Sequence, residues 1–205
     1  MTSSSPGRQG GTGRPSSGTA IGLIAVPLLA AALLAAPAPR AQDEGHVVSA
    51  SALISRSAVA PGETFKAAVI VKVRAGYHIN DNAPLDEFMV PTTLTVADHP
   101  DFEVAGFVFP RGRRARFSFA ESELAVYEGE VVLGVLLKAK EGAAPGPKTL
   151  EAEIGYQACD DASCLPPKEL ALSIAVPVAA AGGSDVHPEI FDKLRFPPVR
   201  KPPAP

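Results

Sequence analysis

The chain holds two cysteines, Cys159 and Cys164, in the stretch Gly155-Tyr156-Gln157-Ala158-Cys159-Asp160-Asp161-Ala162-Ser163-Cys164-Leu165-Pro166-Pro167. Four small or turn-forming residues separate them, and a tight hairpin at this point brings two sulfurs within bonding range. Such a pair has two chemical uses. It is a redox couple that exchanges thiols with other proteins, or it is a staple. As a staple it is modest, since closing so short a loop gives about 2 kcal/mol in the chain-entropy model. The residue pattern alone leaves both uses open. Asp160 and Asp161 lie between the cysteines, and nearby negative charge disfavours a thiolate, which places both thiols at or above the free value of about 8.5. No Lys, Arg or His stands between the cysteines or directly beside either of them in sequence to oppose this. A reduced pair of this kind is a sluggish nucleophile that exchanges well only when a partner supplies the activation.

The elements that must position the pair read as strands. Phe65, Ala67, Val69, Val71 and Val73 fall on one face at alternate positions, with Lys66 and Lys72 on the other, and Val131, Leu133, Val135 and Leu137 face one way in the same manner. Leu150, Ala152, Ile154 and Tyr156 repeat the pattern just before the cysteines, and Leu170, Leu172, Ile174 and Val176 just after them. Period-two alternation marks strands with one face in a core. Weaker candidates are 47–54, 92–96 and 102–109. If the strand through Tyr156 continues, Cys159 falls on the polar face shared by Glu151, Glu153 and Gln157, which predicts an accessible disulfide. No window shows a convincing helical period. The fold class expected is all-β, an immunoglobulin-like antiparallel β-sandwich over residues 47–178. Residues 179–205 read as a Pro-rich tail, expected to be a poorly ordered extension, with a docking peptide or an added edge strand as the alternative.

Composition narrows the function further. The 205 residues are 46% hydrophobic and carry a net charge of −3. That balance argues against a dedicated nucleic-acid binder, and no nucleic-acid partner is expected. The 21 prolines and 18 glycines argue against long helices. His46, His78, His99 and His187 show no metal-ligand spacing, so no metal or other cofactor is expected, and His78 reads as packing at a strand end. Arg111, Arg113, Arg114 and Arg116 read as a solvated basic loop, with a docking surface for an acidic partner as the sharper alternative. Residues 1–41 read as a signal peptide and its processing region. Arg8 and Arg14 precede the apolar run 20–36, and small residues follow it. The run is a little short for a bilayer span, and an uncleaved anchor is the alternative. The expected location is outside the cytosol, periplasmic or in the cell envelope, where a disulfide is chemically permitted.

The stretch from Tyr156 to Pro167 resembles the cysteine motif of the N-terminal periplasmic domain of the DsbD thiol:disulfide interchange family, with Tyr-Gln before the first Cys and Pro-Pro after the second. Gly76-Tyr77-His78-Ile79-Asn80 and Pro91-Thr92 are similar to that domain as well. The spacing between the cysteines differs by a residue from better-known members. The resemblance implies an immunoglobulin-like fold whose cysteines cycle between dithiol and disulfide. It implies that Cys164 joins the partner and Cys159 resolves the mixed disulfide. The implied partners are periplasmic thioredoxin-like or disulfide-containing proteins. The family's full-length proteins continue into a membrane domain and a thioredoxin-like domain, so the expected reductant here is a separate membrane-embedded protein. It also implies a cap loop with an aromatic residue over the cysteines. Phe117 and Phe119 are the candidates, with Phe88 in Asp86-Glu87-Phe88 as a competitor. The runner-up function is a non-catalytic immunoglobulin-like binding or envelope-assembly module with a structural disulfide.

Overall fold

The computed structural model describes residues 46–196. The expected signal peptide, residues 1–41, lies outside them, as do the last residues of the tail. Among the described residues there are eleven strands and one short helix: β1 Val48–Ile54, β2 Thr64–Val73, β3 His78–Asn80, β4 Thr93–Val96, β5 Phe102–Val108, β6 Arg113–Ala115, β7 Leu124–Tyr127, β8 Glu130–Ala139, β9 Gly146–Tyr156, β10 Ala158–Cys159, β11 Lys168–Val178 and α1 Pro188–Phe191. All named strand pairs are antiparallel, in three sheets ordered β1-β2-β8-β5, β11-β9-β4 and β10-β3-β7-β6.

The two larger sheets supply opposing sides of one core. Phe65, Val69, Val71, Leu133, Val135 and Leu137 of β2 and β8 belong to the same buried cluster as Leu94, Leu150, Ile154, Ile174 and Val176 of β4, β9 and β11. These are the alternating positions of the sequence, and their burial places one face of each long strand inward. The long strands end where breakers stand. Gly129, at φ 62°, turns β7 into β8, a backbone state an L residue adopts reluctantly.

The third sheet is built differently. Its strands are two to four residues long, and β3 and β7 are buried at every position. No alternation exists there to be read, and none of its strands was expected from the sequence. The basic run is not a loop throughout: β6 pairs with β7, and the Arg113 guanidinium forks onto the Glu128 carboxylate with Nε to Oε2 at 3.0 Å.

Residues 179–196 pack onto the sandwich instead of trailing from it. Their backbone bonds to residues 55–59 through Ser57 N–H to Ser184 O and Val186 N–H to Ser55 O, each near 3 Å (2.9 and 3.0 Å). Arg56 pairs with Asp185 at 2.6 Å. Phe191, at the end of α1, and Leu194 beyond it bury against Ala68 on the outer face of β2. The Lys66 ammonium donates to the carbonyls of Phe191 and Leu194 at 3.2 and 3.4 Å. The apolar residues of this segment explain the difference from expectation. Proline content marks a segment as irregular, not as unattached.

Candidate functional site: a cysteine pair at a sheet corner

β9 carries the chain along the core to Tyr156, and at Gln157 the chain leaves that sheet and enters the small one as β10. The cysteines sit at this corner. Ala158 and Cys159 pair with Ile79 and His78 of β3, and the chain then folds back so that Cys164 lies opposite Cys159. Cys159 and Cys164 are joined by a disulfide, with their Cα atoms 3.9 Å apart. Three hydrogen bonds fix the hairpin: Leu165 N–H to Ala158 O at 2.8 Å, Asp160 N–H to Ser163 O at 2.9 Å, and the Gln157 amide to Leu165 O at 3.2 Å. Asp160 pins the loop by accepting the backbone N–H groups of Ala162 and Ser163 at 2.9 and 2.8 Å. Those two N–H groups hold its carboxyl below the usual range.

Side-chain direction follows from the pairing. Ala158 and Ile79 face the main core, so their neighbours Cys159 and His78 point to the opposite face. The segment after β6 folds over that face. The Phe117 ring stacks on the His78 ring with centroids 3.9 Å apart, and Phe119 stacks on Phe117 at 5.6 Å. Between them Ser118 donates its hydroxyl to the Asp161 carbonyl at 2.6 Å. The two faces of the pair differ in access: Cys159 is 0% exposed, whereas Cys164 is half-buried. Tyr156 is buried beneath the corner, and burial pushes its phenol up. It also borders a surface groove of about 400 Å³ that Val90, Pro91 and Pro167 help to line.

The model of the family described as "Thiol:disulfide interchange protein DsbD, N-terminal" matches residues 46–175. The chain belongs to this family. The match spans the sandwich and the cysteine hairpin together, and the fold is the immunoglobulin-like β-sandwich expected. Among solved structures, the N-terminal periplasmic domain of ScsB from Proteus mirabilis aligns with 14% identity and a TM-score of 0.46. That alignment covers 75% of this chain and 54% of the other, so the chain spans about half the length of that domain. The GAE domain of yeast GGA1 aligns with 9% identity and a TM-score of 0.39, over 66% of this chain and 96% of its own. No curated protein sequence matches.

Within this DsbD N-terminal domain, two expectations about the site are corrected. Cys159 does lie on the outward parity of Gln157, but the disulfide is not openly accessible at that sulfur. The strand does not continue past Tyr156, and the segment bearing Phe117 and Phe119 folds over the face. The motif also has a basic neighbour. His78, expected only to pack at a strand end, is the cross-strand partner of Cys159 and is 2% exposed. Sequence distance hid it: 81 positions separate residues that the sheet places side by side (159 − 78). Asp160 and Asp161 are both in the hairpin, but only Asp160 turns its carboxylate to the backbone. Phe88 is 83% exposed in the loop between β3 and β4, while Phe117 and Phe119 are the aromatics stacked at the corner.

Proposed function

We propose that this chain is an exported thiol–disulfide interchange domain that passes electron pairs between protein partners through Cys159 and Cys164. The observation that carries the roles is the difference in access across the bond. A partner thiolate approaches the half-buried Cys164, not the covered Cys159. In the forward direction the reduced Cys164 thiolate attacks one sulfur of a partner disulfide. An S–S bond to the partner forms, and one partner thiolate departs and takes up a proton. Cys159 then attacks Cys164 Sγ, closes the intramolecular bond and expels the second partner thiolate. Two electrons and two protons have moved to the partner. The same steps reversed let an upstream dithiol reduce the domain.

Phe117 and Phe119 act in this reading as a shield, opened by a partner that displaces the loop. The donors and acceptors are thioredoxin-like or disulfide-containing proteins of the periplasm or envelope, with a membrane-embedded reductant upstream. The apolar run and basic residues near the N-terminus support export.

Trapping in the native envelope tests the assignment. Cys159→Ser is expected to leave Cys164 able to hold a partner as a mixed disulfide, because nothing resolves it. Cys164→Ser is expected to trap far less. Equal trapping would reverse or erase the roles. No trapping by either variant, together with loss of fold, would make the bond a staple.

A further inference from the structure

His78 stands at one end of a row centred on Cys159. Cys159 is the pairing partner of His78 on one side and of Cys164 on the other, so the three side chains share one face of the small sheet. Directly opposed residues of an antiparallel pair have Cβ atoms about 4.5–5.5 Å apart. The imidazole is buried, stacked under Phe117, and its Nε2 has no hydrogen-bond partner. A buried polar atom without a partner costs free energy, and one beside a reactive pair calls for an explanation. In the disulfide state neither sulfur carries a proton. Reduction creates a thiol S–H across the strand from His78, and a neutral imidazole nitrogen can accept it.

We propose that His78 is the acid–base residue for Cys159, taking the thiol proton as Cys159 resolves the mixed disulfide. This rests on the interchange reading above. In the step, the Cys159 S–H proton passes to Nε2 while the sulfur attacks Cys164 Sγ. The Cys159–Cys164 bond forms, the Cys164–partner bond breaks, and the electron pair leaves on the partner sulfur, which is then protonated. A hydrogen-bonded imidazole offsets the negative field that Asp160 and Asp161 place on the cysteines. The groups around the ring set its state. Burial is the largest influence and holds it below its usual 6.5, with Arg113 of β6 acting the same way. Glu128 after β7, and Asp161 and Asp160 of the hairpin, pull in the other direction. From β7, the Tyr127 phenol, pushed up to about 12 by burial, is uncharged at neutral pH. The imidazole is therefore neutral, and able to accept a proton, through the neutral range.

The test separates the two halves of the exchange. Reduced protein is mixed with excess of an aromatic disulfide whose nitrothiobenzoate leaving group is coloured. The first release reports capture at Cys164, and the second reports resolution by Cys159. In the wild-type protein, resolution is expected to hold its rate down to about pH 6.5, below the range of an unassisted thiol near 8.5. His78→Phe keeps the aromatic stack and removes the nitrogen. It is expected to slow the second release by about tenfold or more, to leave the first unchanged, and to move the pH profile up to that of a bare thiol. His78→Gln, polar but without a titrating group, is expected to do the same. A second release whose rate and pH profile are identical in all three proteins would overturn the proposal. So would equal slowing of both releases, or a wild-type profile governed by one ionisation near 8.5. Failure of the wild-type protein to give any second release would instead remove the interchange reading itself, and this role with it.

Discussion

Phe117 and Phe119 are the side chains whose role is easiest to separate from packing. Both are half-buried, and they stack in series on His78 rather than filling the main core. In the proposed function such a stack shields a reduced pair without supporting the sandwich. Phe117→Ala is therefore expected to raise the alkylation rate of the reduced protein severalfold. Its stability loss should stay below the roughly 3–5 kcal/mol that follows emptying a core Phe site. Phe119→Ala should show a smaller rate effect, since its ring lies 6.1 Å from that of His78. Unchanged alkylation rates with a core-sized loss of stability in both variants would make them ordinary packing residues. At this scale the sequence revealed the cysteines, because two cysteines five positions apart are conspicuous in a chain with no others. It did not reveal His78, whose neighbour is set by strand pairing, and pairing partners leave no mark in a single sequence.

Among the elements, legibility divides along strand length. β2 and β8 start and end where their alternation does, at Thr64–Val73 and Glu130–Ala139, because every second side chain enters the core while Lys66, Lys72, Glu130 and Lys138 mark the other face. β3, β6, β7 and β10 left no such record. A strand of two to four residues is too short for a period, and one buried on both faces has none. The sheet that holds Cys159 and His78 was therefore the least visible part of the fold. The C-terminal segment was misread for a related reason, since its few apolar anchors are spaced irregularly. Its seat can be tested at Gly134 of β8. A Cβ there would come within 2.5 Å of Val108 Cγ1 and 2.8 Å of Phe196 Cζ. Gly134→Val is expected to lift residues 191–196 off the sheet, detectable as faster proteolysis near Leu194. Cysteine reactivity should be unchanged, because those anchors lie on the outer face of a different sheet. Proteolysis identical to wild type would mean the segment is not held by that contact.

For the molecule as a whole, pH acts through a few groups whose directions agree. His78 is held below 6.5, chiefly by burial. The native state thus refuses a proton that the unfolded chain accepts, and the stability present above that value is lost as pH falls below it. The carboxyls of Asp101, held down chiefly by the hydrogen bond to Lys148, and of Asp160, held down by backbone N–H groups, add a second loss. Their contribution is present above 3.8 and disappears as pH falls through their lowered values. On the alkaline side the Tyr127 phenol, raised by burial from 10.0 to about 12, costs stability as pH climbs past its unfolded value. The melting temperature is expected to fall between pH 7 and pH 5, and His78→Phe should flatten that limb while leaving the lower carboxylate limb in place. An unchanged slope in that variant would show that His78 ionises freely in the folded protein.

The bond between Cys159 and Cys164 closes a separation of only five residues, within one hairpin. It ties neither large sheet to the other. Making or breaking it therefore changes almost nothing that a distant observer of the sandwich could detect. The state of the couple is recorded locally, in the hairpin, in the imidazole beside it and in the segment that touches the Asp161 carbonyl through Ser118. In the proposed exchange, a partner that must tell a charged carrier from a spent one has to inspect this corner directly. Recognition and exchange then draw on the same few residues, and a carrier already emptied can be released without the rest of the molecule having to change shape.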